Sequence, residues 1–337
     1  MVKKIFFILL ISSVCLKAQD IHFTQWMFSP LNLNPAETGV FDGDHRIVGN
    51  FRSQWAAIME RQYKTFGFSY DRNFKLNNQE ITAGIAFTND RSSIGDLMQN
   101  KLQVSGGYNK NIKKARVSFG VQLGLLHKGI DPNAYSYPVQ WDANQGVFSN
   151  AAGIGNGEFF GQTNNYMFDL NFGVGWGRKF GDKFYPEVGL SWFHVNTPEE
   201  SFLGDKVNLP LRHAYNLKLN YKLSDNFLIM PNALFMYQIE RQDLVVGVLA
   251  KKKIEDNKTK INQVFAGINF RDGFNRNYDA MNLIIGAKRE EWQVGISYDI
   301  NVSDLSSVTH YRGAFELSVI YIVKTSDPST FIVPCDL

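Results

Sequence analysis

Cysteine is almost missing from this chain of 337 residues. Only Cys15 and Cys335 occur. A leader carrying Cys15 would leave Cys335 alone, so the mature chain has no internal disulfide. Long apolar runs are missing as well. After Leu16 no stretch approaches the ~20 apolar residues of a membrane helix. Charge of one sign is also scarce, and a net charge of +3 excludes electrostatic recognition of nucleic acid or of a strongly anionic partner. Catalytic patterns are absent too. The six histidines (His22, His45, His127, His194, His213, His310) form no metal-ligand spacing. There is no G-x-S-x-G elbow, and the glycines from Gly153 to Gly157 lack the Lys-Ser or Lys-Thr of a phosphate loop. Glu199-Glu200 and Asp205 read as solvated loop charge before they read as a catalytic pair. The expectation is a protein that is no enzyme and holds no cofactor or metal.

What is present is a rhythm. Ile81, Ala83, Ile85 and Phe87 alternate with Thr82, Gly84, Ala86 and Thr88. Leu170, Phe172, Val174 and Trp176 alternate with Asn171, Gly173, Gly175 and Gly177. A period of two marks strands with one apolar face. Runs of this length, with small polar residues on the second face, predict an all-β, transmembrane antiparallel barrel of about fourteen strands with a polar lumen. Closure follows because an open sheet edge in lipid leaves backbone groups unsatisfied.

The organisation reads as four pieces. Residues 1–18 are a secretory signal peptide, with Lys3-Lys4, an apolar Ile5–Val14 core and a small Ala18 before the cleavage point. A lipoprotein signal on Cys15 is the rival, disfavoured by Ser13-Val14. Residues 19–44 are apolar (Phe23, Trp26, Met27, Phe28, Leu31, Leu33) and broken by Pro30 and Pro35. Such a segment needs cover. It is expected as a plug in or across the periplasmic mouth, or against a partner. Residues 45–324 are the barrel, and 325–337 a periplasmic tail. Long connections alternate with short turns, the outer-membrane pattern, with 127–165 the longest outer loop and 252–260 an overlong periplasmic turn. This places both termini in the periplasm. Trp55, Tyr63, Tyr108, Tyr221, Tyr237 and Tyr298 suit the interfacial girdles, while Pro231 weakens its strand or marks a bulge.

Alternation turns Phe51 and Trp55 to lipid and Arg52 and Gln54 inward. A closing seam between first and last strands would set Arg52 against Glu316. In the long outer loop, Tyr135, Tyr137, Trp141, Phe148, Phe159 and Phe160 are aromatic anchors of the kind enriched at interfaces.

Gln25, Asn34 and Pro35 lie in His22-Phe-Thr-Gln25-Trp-Met-Phe28-Ser-Pro-Leu31-Asn-Leu-Asn34-Pro35-Ala36. With Phe51-Arg52-Ser53-Gln54-Trp55, Ser297-Tyr298-Asp299-Ile300-Asn301 and Gly313-Ala-Phe-Glu316-Leu-Ser318, this pattern resembles the PorP/SprF family of outer-membrane proteins. The ending Pro334-Cys335-Asp336-Leu337 departs from the family's usual Cys-Pro. The resemblance implies the type IX secretion and gliding apparatus in the bacterial outer membrane. It further implies a secreted or adhesin-like cargo, recognised by its C-terminal domain, and periplasmic or outer-membrane secretion components as partners. The expected role is to bind and anchor, or assist export of, a surface protein. The alternative is a channel or transporter for small or hydrophobic solutes.

Overall fold

The computed structural model describes residues 20–324, apart from 57–58, 60–61, 77–78, 93–96, 132–133, 135, 149–161, 203–206, 240, 255–259 and 275–277. The expected signal peptide (1–18), the expected C-terminal tail (325–337) with Cys335, and Tyr135, Phe159, Phe160 and Asp205 therefore lie outside the described residues.

The strands are β1 (His45–Gln54), β2 (Tyr63–Leu76), β3 (Gln79–Arg91), β4 (Met98–Ile112) and β5 (Ala115–Gly129). A small hairpin follows, β6 (Trp141–Asp142) with β7 (Val147–Phe148). Then come β8 (Asn164–Arg178), β9 (Phe184–Phe193), β10 (Arg212–Ser224), β11 (Phe227–Gln238) and β12 (Arg241–Lys253). The last are β13 (Ile261–Asp272), β14 (Tyr278–Arg289), β15 (Trp292–Asn301) and β16 (Arg312–Val323). All but the hairpin form one closed barrel of fourteen strands, each beside its sequence neighbour, with β1 sealed to β16.

The period of two explains the wall. On β5, Phe119, Val121, Leu123 and Leu125 point outward and are exposed, while Arg116, Ser118 and Gln122 are buried in the lumen. An apolar band of this kind is stable only against lipid. The long connections, such as 130–163, 194–211 and 302–311, collect at one end. Loop asymmetry assigns that end to the cell exterior and the end with short turns to the periplasm.

Two local expectations need correction. Strand β1 ends at Gln54, and Trp55 takes a left-handed φ of 61°, so the alternation does not carry its ring outward as a strand residue. It packs edge-on against Tyr63 instead, with ring centroids 5.3 Å apart. Pro231 neither ends nor bulges its strand. The β10–β11 ladder passes from Lys218↔Asn232 to Tyr221↔Ile229 in unchanged register, and Pro231 stays paired with Val248 on the other side. The missing N–H thus removes pairing on one side only.

The lumen also differs from a uniformly polar one. On β11–β14 the inward face carries Leu228, Met230, Leu234, Met236, Leu249, Phe265 and Ile284, all buried. These residues meet apolar side chains that come from residues 20–44.

Candidate functional site

The segment 20–44 runs through the barrel interior from end to end. Its short helical turns (Trp26–Phe28, Pro30–Leu33, Pro35–Glu37) follow from its prolines, which open two of them at the first helical position. Phe28 enters the cluster of Val48, Leu228, Met230, Leu249, Phe265, Ile284 and Ile320. Trp26 and Leu33 enter a second, with Phe193, Ala214, Leu234, Met236 and Val245. Burial of apolar area is the main stabilising term, about 1.5–3 kcal/mol for each large side chain fully covered.

The segment does not stop at the periplasmic mouth, where the sequence reading put it. Asp44 begins at the periplasmic end, its N–H donating to the Val323 carbonyl at 2.8 Å. Asp20 lies at the exterior end. Its carboxylate accepts from Lys101 Nζ at 2.8 Å and pairs with His194 Nε2 at 2.8 Å. The described chain thus starts at the exterior end of the lumen, while both termini lie outside the described residues. The reason is the two-sided lumen: apolar side chains find apolar cover along β11–β14, and polar groups find partners elsewhere.

Four polar knots hold the segment. At the β1–β16 seam Arg52 stands directly opposite Glu316, and Arg52 Nη1 donates to Glu316 Oε1. Glu316 also accepts the backbone N–H groups of Thr24 (2.7 Å) and Gln25 (2.8 Å). Thr24 Oγ1 accepts from Arg52 (2.6 Å) and Arg271 (3.0 Å) and donates to Asp299 (3.1 Å). Gln25 Nε2 donates to the Glu316 carbonyl at 3.2 Å, and its Oε1 accepts from Ser318 at 2.8 Å. Gln54 Oε1 accepts from Arg52 Nη2 at 3.1 Å and fixes the guanidinium plane.

The second knot is Asn34. Its Oδ1 accepts from Ala36 N–H at 2.8 Å, and its Nδ2 faces the carbonyls of Val174 (3.2 Å) and Leu190 (3.3 Å) on adjacent strands. The wall is cut back to admit it. A Cβ on Gly173 would lie 1.9 Å from Asn34 Oδ1, and one on Gly120 would lie 2.2 Å from the Pro35 carbonyl. The third is Arg46, bidentate on Asp71 at 3.0 and 2.6 Å, with Asp71 also accepting Gly39 N–H at 2.7 Å. The fourth is Asp20 with Lys101, His194 and Arg212, backed by His194 Nδ1 to Asp169 at 2.8 Å. Burial alone would raise the Asp20 carboxyl, but Lys101, His194 and Arg212 hold it well below the usual carboxylate range. Burial alone would lower His194, but Asp20 and Asp169 hold it above its ordinary value.

Gln25, Asn34, Pro35, Arg52, Gln54 and Glu316 therefore converge on the contact between segment and wall, whereas Trp55 does not. Sequence reasoning met Asp299 only inside the family motif and His194 only as a non-ligand histidine, and it missed Asp20, Asp71, Asp169 and Arg271. The inward glycines at 120 and 173 were the available signal for a close approach.

The outer loops carry the second candidate surface. Trp141 and Phe148 pair across the β6–β7 hairpin, both about half exposed, with ring centroids 5.0 Å apart. Tyr137 is buried and is no free anchor. Lys128 pairs with Glu200, and Gln162 Nε2 donates to the Ser201 carbonyl at 2.7 Å, which ties the two long loops together. Among the described residues no group of three or more His, Cys, Asp or Glu could hold a metal ion.

Comparison with known proteins adds the decisive observation: the family "Type IX secretion system membrane protein PorP/SprF" matches residues 15–321. The chain belongs to the PorP/SprF family. It is an outer-membrane β-barrel associated with the type IX secretion apparatus. No curated protein matches. Among solved structures, the barrel is similar to the Pseudomonas putida toluene transporter TodX. The identity is 12% over 87% of this chain and 92% of that one, with a TM-score of 0.50. It is also similar to a TodX monoaromatic hydrocarbon channel carrying the deltaS2S3 change, at 10% identity over 86% and 92% of the chains and a TM-score of 0.51. These likenesses concern the fold alone.

Proposed function

We propose that this PorP/SprF barrel is a closed, non-catalytic docking platform that binds and anchors a secreted surface protein, or assists its export, within the type IX apparatus. The observation that carries the reading is the filled lumen. Spaces between the inner segment and the wall measure about 20 Å³ beside Asp20 and about 20 Å³ beside Trp26. Each is small against the roughly 300–1,000 Å³ of a small-molecule site. A barrel so filled is poorly built for passive solute flow and well built as a rigid scaffold for loops. Residues 20–44 then serve as its plug. Gln25, Asn34, Pro35, Arg52, Gln54 and Glu316 hold the plug and do not touch cargo. The Trp141–Phe148 hairpin, with Tyr135, Phe159 and Phe160 in the same loop, is the cargo-contact surface. A rigid scaffold with aromatic anchors on its loops is the usual build of a recognition site. The cargo's C-terminal domain is the proposed ligand, and gliding or adhesion the process served.

The test uses a chromosomal W141S/F148S variant beside a full deletion. The deletion should leave solute uptake intact and leave at least one large secreted protein inside the cell or loose in the medium. The loop variant should retain folded barrel and repeat the attachment defect. Correct attachment of every secreted protein in the loop variant would remove the hairpin as the contact. A deletion that changes only small-molecule permeability would overturn the anchoring role and leave a transporter.

A further inference from the structure

On the lipid-facing side of β11–β15 the wall is hollowed out. The hollow has a volume of about 600 Å³. That is within the roughly 300–1,000 Å³ typical of small-molecule sites. Two cross-strand rows form it. One runs Phe227, Lys252, Val264, Ala287, Val294, each the register partner of the next. The other runs Ala250, Ala266, Ile285, Ile296. The next row toward the exterior is Val248, Ile268, Leu283, Tyr298, large at every position. The hollow therefore exists because alanine occupies 250, 266 and 287, with Gly286 at its base.

Its depth in the membrane can be read from the row on its periplasmic side, Arg289, Trp292, Tyr321. The Trp292 and Tyr321 rings lie 4.4 Å apart and suit the membrane–water interface. The hollow thus opens one row inside the periplasmic leaflet. Its single charged lining residue is Lys252, and Arg289 is exposed on the interfacial row. Among the described residues neither pairs with a carboxylate. A lysine stem can cross apolar lining while its ammonium reaches the headgroup level.

We propose that this hollow binds an acyl chain of an anionic phospholipid of the periplasmic leaflet, with the phosphate at the Lys252–Arg289 edge. Charge complementarity favours an anionic over a zwitterionic headgroup, since basic residues near a bilayer surface attract anionic lipid at about 1 kcal/mol each. The apolar floor favours a chain over a bare headgroup.

The experiment is native mass spectrometry of the full-length barrel in detergent micelles. Phosphatidylglycerol, chain-matched phosphatidylcholine and glycerol phosphate are added in competition. The variants are K252Q/R289Q and A266L/A287L, with heat-modifiable gel mobility reporting that each is folded. All four positions lie on the outer face, and A266L alone replaces the double variant if that does not fold. The wild type should retain phosphatidylglycerol in preference to phosphatidylcholine and ignore glycerol phosphate. Removing both charges in K252Q/R289Q should lower that preference about thirtyfold. Filling the hollow should abolish retention of both lipids. Equal retention of the two lipids, a preference unchanged in K252Q/R289Q, retention unchanged in the leucine variant, or competition by glycerol phosphate would each overturn the proposal.

Discussion

Thr24 uses its hydroxyl completely: one proton is donated to Asp299 and two hydrogen bonds are accepted, from Arg52 and Arg271. Thr24→Val keeps the shape and removes one hydrogen bond from each of three charged partners, which keep their ion pairs. It should destabilise the purified barrel by about 1–3 kcal/mol, read from urea unfolding in micelles. Glu316 is a harsher case, because it serves Arg52 and two backbone N–H groups at once. Glu316→Leu leaves all three buried without it and should cost about 3–5 kcal/mol. Glu316→Gln keeps one acceptor oxygen, and Asp299 still faces Arg52, so its cost should be smaller. If the two variants unfold alike, the carboxylate is not the hub described. His194 gives the residue scale a pH dependence. Its folded value is raised, so its contribution is full below the ordinary histidine range and fades as pH rises through the folded value. Asp20 is lowered, so its contribution is full above the ordinary carboxylate range and is lost only in strong acid. Protease cleavage near Asp20 should therefore rise in alkaline buffer. His194→Phe should cleave readily at all pH values; a pH profile kept in this variant would assign the effect elsewhere.

Among the elements, β8 and β5 show how a wall is fitted to its contents. Gly173→Ala places a methyl where Asn34 Oδ1 now lies. Alanine is itself tolerated in a strand, so any effect reports on the segment rather than on β8. The expected result is a folded barrel with residues 20–44 open to protease, and an unchanged digestion pattern would place Asn34 elsewhere. The strands themselves were legible. Alternation on an apolar outer face is a local property, and it gave their number, β11 with its proline included. The seam partners Arg52 and Glu316 were legible too, because closure fixes which strands meet and alternation fixes the face. Legibility ended in the lumen. Asp71 and Asp299 sit on inward positions where hydrated charge would look the same in sequence. Besides wall partners, Asp71 accepts Gly39 N–H and Asp299 accepts from Thr24 Oγ1 of a distant segment, and no period links strand and segment. Leu234 and Leu249 face inward and cover Trp26 and Phe28, an apolar stripe that the expectation of a polar lumen does not contain.

At the scale of the molecule, the filled lumen makes a prediction about current. In planar bilayers the intact barrel should show no steady conductance. A chain that assembles without residues 20–40 should conduct or flicker, because its inward charges would be left to water. Steady conductance by the intact barrel would show that the segment leaves the lumen and would revive solute transport. The same architecture bears on loops. With the inner segment bracing β9–β11 and β4–β5, the hairpin at Trp141 stands on a support that does not yield, which suits holding a large load. It also bears on how such a molecule is finished. Thr24 bonds Glu316 across a sequence separation of 292 residues. The inner segment and the closing strand β16 meet at one seam, and each is needed to satisfy the other. The segment and the seam thus vouch for one another. A molecule cut short at its C-terminus loses its wall and the grip on its filling together, and so leaves no half-built hole in the membrane.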